Sequence, residues 1–60
     1  MSNFKNLLNA REYLVGARTE LIAASNELKQ TKFFALTLEE IDDTINDITA
    51  SIDHLTHFLK

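Results

Sequence analysis

The chain contains no cysteine, no proline and no tryptophan, and its one glycine stands at position 16. Without cysteine there are no disulfides and no thiolate zinc sites, and nothing marks the redox compartment. Only His54 and His57 offer imidazole. Without proline, and with a single glycine, the sequence lacks the tight-turn signals of a small sheet and favours long unbroken helices. Wholly apolar runs such as Phe33-Phe34-Ala35-Leu36 are far too short to span a bilayer. Met1-Ser2-Asn3-Phe4-Lys5 has neither the charged nor the apolar region of a signal peptide, and position 2 is not the glycine that N-myristoylation requires. These features predict a soluble cytoplasmic chain with no membrane contact. The net charge of −3 gives no general attraction for nucleic acid or anionic lipid.

What the chain does have is two heptad repeats. Leu7, Leu14, Leu21 and Leu28 recur every seven residues, with Ala10, Ala17 and Ala24 three places after the first three. With Leu7 as position a, the alanines are d, and the leucines and alanines together mark one helix over about 3–31, roughly 43 Å long. Ser2 or Asn3 can cap its start and Lys29 and Lys32 suit its end. Leu38, Ile41, Ile45, Ile48, Ile52, Leu55 and Leu59 alternate at spacings of three and four and mark a second helix over about 38–59. Thr37 followed by Glu40 has the form of a capping box, with Leu36 and Ile41 at its hydrophobic-staple positions. The acids Glu39, Glu40, Asp42 and Asp43 near the start, and His54, His57 and Lys60 near the end, match the helix dipole.

A connection of about six residues makes the pair antiparallel. The fold expected is therefore all-α: one helical-hairpin domain covering residues 1–60, in the manner of a short coiled coil. Matching the seams gives layers such as Leu28–Ile41, Ala24–Ile45, Leu21–Ile48, Ala17–Ile52 and Leu14–Leu55, in which each alanine faces a bulky residue. The same register sets Arg11 and Arg18 beside Thr56 and Thr49, and Tyr13 beside Phe58 as an aromatic pair at the open end.

A hairpin of this size gains only about 3–5 kcal/mol from one core, so oligomerisation into a four-helix bundle is expected, a homodimer first. Three features are left over for it. Leu8, Val15 and Ile22 form a row at position b, about 100° around the first helix from the leucines, and each aliphatic side chain buried there contributes ~1.5–3 kcal/mol. The first helix overhangs the second, leaving Phe4 and Leu7 without partners. Charge is segregated: Lys5, Arg11, Arg18, Lys29 and Lys32 outnumber Glu12, Glu20 and Glu27 by two in the first half, whereas six acids face Lys60 alone in the second. The expected partner or oligomer interface is thus Phe4, Leu8, Arg11, Val15, Arg18 and Ile22. Phe33 and Phe34 are candidate anchors at the tip, and Lys5, Arg11 and Arg18 are candidate anion contacts.

No nucleophile–base pair, phosphate loop or carboxylate pair stands out, and two histidines one turn apart lack a third ligand of fitting spacing. No enzyme activity, metal or cofactor is expected. The leading expectation is a small non-catalytic regulator or inhibitor that binds another protein, of a size and acidity that fit a phage or mobile element. In that role Glu39, Glu40, Asp43 and Asp47 would compete for a basic groove. One alternative is an RNA- or nucleotide-binding hairpin dimer using Lys5, Arg11 and Arg18, and another is a purely structural oligomerisation module. In size and layout the chain resembles the small plasmid RNA-binding helical-hairpin dimers of the Rop family. No motif matches that family, and no residue role is carried over from it.

Overall fold

The computed structural model describes residues 2–59, apart from the side chain of Ser2. Two helices make up the chain: α1 over Ser2–Thr31 and α2 over Ala35–Phe58. They pack against each other as an antiparallel hairpin 48 Å long and 14 by 13 Å across. At 30 and 24 residues their lengths differ by six, so α1 overhangs by about 9 Å.

The turn is shorter than expected, three residues instead of six, and it is built without glycine. Lys32 and Phe34 both take left-handed backbone angles, at φ 62° and 63°. Thr31 substitutes for a glycine cap. Its hydroxyl donates to the Leu28 carbonyl at 2.7 Å and accepts from the Phe33 amide at 3.2 Å, satisfying two backbone groups that the helix end leaves open. Phe34 then opens α2, its carbonyl accepting the Leu38 amide at 3.0 Å.

The expected capping box therefore does not form. Helix begins at Ala35, two residues before Thr37, and no side chain caps it. Leu36 is 78 % exposed, so the staple with Ile41 is absent as well. Ala35 and Leu36 are good helix formers, and continuing the helix through them gains backbone bonds that a cap at Thr37 would forgo.

The largest correction concerns which side of α1 meets α2. Ala10, Ala17 and Ala24 are exposed, whereas Ser25, one residue past Ala24, is 3 % exposed. The seam of α1 is Leu7, Arg11, Leu14, Arg18, Leu21, Ser25 and Leu28, with Leu8 and Val15 half-buried beside it. Relative to the expected leucine–alanine face the helix is turned by roughly 50°, at 100° per residue. The reason is area. An alanine methyl offers little to bury, whereas the turn brings Leu8, Val15 and the aliphatic stems of two arginines toward cover.

α2 presents the face expected of it, with Ile52 7 % exposed and Leu38, Ile41, Ile45, Ile48, Leu55 and Leu59 half-buried. Tyr13 and Phe58, at 79 % and 73 % exposure, do not close the open end as a buried pair, because the turn of α1 carries Tyr13 outward.

Two substitutions test this backbone account at fixed chain concentration. A Cβ at Gly16 would meet nothing within 4 Å, so Gly16→Ala is expected to raise unfolding stability by about 0.5–1 kcal/mol. Phe34→Gly is expected to raise it by a similar ~0.5–1 kcal/mol, by releasing left-handed strain at a ring that buries little. Urea melts monitored by circular dichroism measure both, and a loss of stability in either variant contradicts the assignment.

Candidate functional site

The side chains that bridge the helices form a polar ladder along one side of the seam. Arg11 Nη1 donates to Thr56 Oγ1 at 3.3 Å, and Arg18 Nη1 donates to Thr49 Oγ1 at 3.3 Å. Ser25 Oγ donates to Asp42 Oδ1 at 3.2 Å. The first two rungs are the pairs the register predicts, so the axial alignment is as expected although α1 is rotated. Thr49 is itself held, donating to the Ile45 carbonyl at 2.8 Å, which leaves an oxygen lone pair for the guanidinium. Each arginine thus meets a hydroxyl and not a carboxylate. Among the described residues no buried side-chain nitrogen or oxygen lacks a partner.

The residues expected to form a partner surface are separated by this arrangement. Arg11 and Arg18 are half-buried on the ladder, and Leu8 and Val15 are half-buried next to it. Ile22, at 43 %, and Phe4, at 54 %, remain exposed. Lys5 is exposed, so the three candidate anion contacts do not share one environment. Seven residues separate Arg11 from Arg18, about 10 Å along the axis.

At the turn, Phe33 and Phe34 are both exposed, with neither ring sealing the end of the hairpin. Leu36 joins them, and with Glu39, Glu40 and Asp43 it lines a shallow open depression at the start of α2. Sequence reasoning singled out the two phenylalanines and the acids, but it assigned Leu36 to a staple. The tip of the hairpin thus exposes three apolar side chains close in sequence, with carboxylates beside Leu36 on α2 and Lys29 and Lys32 at the end of α1.

His54 and His57 are exposed on α2. Among the described residues no three His, Asp or Glu side chains gather as a metal site, and no helix is long and apolar enough to cross a membrane. No family model, curated protein or solved structure matches the chain.

Ser25→Ala tests the most buried rung. It leaves the Asp42 carboxylate without its hydroxyl donor and is expected to lower stability by about 1–2 kcal/mol in a urea melt. Because Asp42 stays near solvent, a loss above that range would show that the ladder does more than align the helices.

Proposed function

We propose that this is a small non-catalytic cytoplasmic interaction protein, a regulator or inhibitor that self-associates into a helical bundle and binds another protein. The observation that carries this reading is the open core. Ile52 is the one buried apolar residue among those described, and even it is not fully enclosed, while the remaining apolar seam residues are half-covered.

Area puts a figure on the gap. The chain exposes 4847 Å², whereas a compact folded protein of 6.8 kDa exposes about 4,000 Å². Two such chains merged into one compact body would expose roughly 6,600 Å² in total, which means burying roughly 1,500 Å² per chain. An interface of about 3,000 Å² in all falls in the range of obligate homodimers.

The tip supports the second half of the reading. Exposed Phe33, Phe34 and Leu36 with the carboxylates of Glu39, Glu40 and Asp43 suit a partner that brings apolar anchors and basic side chains. The row of Phe4, Leu8, Val15 and Ile22 is a second, weaker candidate. A phosphate-binding role for Lys5, Arg11 and Arg18 draws little support, since the two arginines are half-buried about 10 Å apart on the ladder and Lys5 does not share their environment.

Sedimentation velocity on the purified chain tests the association, with a dimer or larger species expected at micromolar concentration. A 6.8 kDa species throughout that range contradicts it. For the partner, affinity capture from the source cell with the native chain and with a Phe33→Ser, Phe34→Ser double variant is the measurement. A protein retained by the native chain and lost from the double variant is expected, and equal retention by both excludes the tip.

A further inference from the structure

Resting on the association proposed above, we infer that the covering partner is a second copy of this chain, seated on the side of the seam away from the polar ladder, with both tips at the same end of the dimer.

The side follows from the ladder. Arg11, Arg18 and Ser25 lie about 40° to one side of the leucine row of α1, and Ala10, Ala17 and Ala24 lie about 60° to the other. On α2 the ladder residues Asp42, Thr49 and Thr56 lie to one side of Ile45 and Ile52, and Ile41, Ile48 and Leu55 lie to the other by the same geometry. The seam is thus closed on one side by hydrogen bonds between polar groups. On the other side half-buried Ile41, Ile48 and Leu55 stand beside exposed alanines. Glu20 and Glu27 stand on the α1 rim of that second side, at the helical position of Tyr13, and no charged residue lies between the rims. Its incompletely covered isoleucines supply the area to be buried, and the alanines let another helix approach closely. Tyr13 and Phe58, both exposed, stand at its edges, where a second copy would cover them.

The orientation follows from charge. α2 contains six acids and no lysine or arginine, whereas α1 carries four cations against three acids. Two isologous arrangements keep neighbouring helices antiparallel. In one, with the twofold axis across the helices, like helices lie side by side and the tips point apart. Two strongly acidic helices are then about 8–10 Å apart, a distance comparable to the screening length of about 8–10 Å at 0.1–0.15 M salt. In the other, with the axis along the helices, each α1 lies on the partner's α2 and the two acidic helices take diagonal positions. Only this second arrangement keeps the two acidic helices from being nearest neighbours, and it places the two tips together. A single dimer then offers two copies of Phe33, Phe34 and Leu36 on one end.

The side and the orientation are tested separately, with oligomeric state measured on every sample. Ala17 is exposed in the hairpin, so Ala17→Lys keeps the helix but puts a charge into the proposed interface. It is expected to raise the dimer dissociation constant at least about 100-fold, while Thr19→Lys, on the outer face, leaves it within about threefold. Equal dissociation constants for the two variants overturn the side. Circular dichroism of Ala17→Lys at high concentration checks that the helices persist, and Val15→Lys, on the ladder side, is expected to dimerise more tightly than Ala17→Lys.

For orientation, pulsed electron–electron resonance is measured on dimers of Gln30→Cys and, separately, of Asn6→Cys, each carrying a nitroxide. With tips together, both give interlabel distances under about 25 Å. With tips apart, the Gln30→Cys labels are separated by more than about 35 Å, and that result overturns the orientation while leaving the association intact. A monomeric native chain overturns the association itself, and with it this inference.

Discussion

Two helices touch along a line, and that constraint governs this molecule. A side chain on the line is covered from one direction only, so a hairpin half-buries many residues and fully buries few. The leucine row of α1 and the isoleucine row of α2 supply the line here. Everything else adjusts to give that contact more area, including the turn of α1 that discards its alanines in favour of Leu8, Val15 and the stems of Arg11 and Arg18. The adjustment cannot go far enough. With Ile52 the one apolar residue that is mostly enclosed among those described, and none fully so, the hairpin holds its helices in register but does not enclose a core.

The helices and their antiparallel pairing were legible in the sequence because a seven-residue repeat of leucine or isoleucine is a long signal, confirmed many times along each element. The Arg11–Thr56 and Arg18–Thr49 rungs were legible for the same reason, since axial register depends on the repeat as a whole. The turn was not. Thr37 and Glu40 have the form of a cap, but a cap is one local interaction. It competes with the extra helical turn that Ala35 and Leu36 allow, and Phe34 accepts a left-handed conformation to let that turn form.

The rotation of α1 was hidden for a different reason. A wheel drawn from residue types treats alanine as apolar and arginine as polar, and so assigns Ala24 to the core and Ser25 to the rim. In a two-layer contact the balance reverses. An arginine contributes three methylenes to the seam while its guanidinium reaches a threonine at the edge, and a serine hydroxyl beside Asp42 is satisfied where it lies. The candidate surfaces shifted with the rotation. The row of Leu8, Val15 and Ile22 moved toward the seam, and the alanine side opened.

The polar ladder has a consequence beyond alignment. If both sides of the seam were apolar, a hairpin could be covered from either side, and successive copies could stack without limit. Closing one side with guanidinium–hydroxyl and hydroxyl–carboxylate bonds makes that side expensive to dehydrate, because any chain laid over it must displace water from Arg11, Arg18 and Asp42. Only the other side remains favourable for apolar cover. A surface that is open on one side and self-complementary gives an isologous pair, and such a pair has no further open face of the same kind, so assembly stops at a closed state. The arginines that first suggest a ligand site thus have a sufficient role as a barrier. In the dimer proposed above they would limit the number of copies that come together, while the aromatic turn stays exposed.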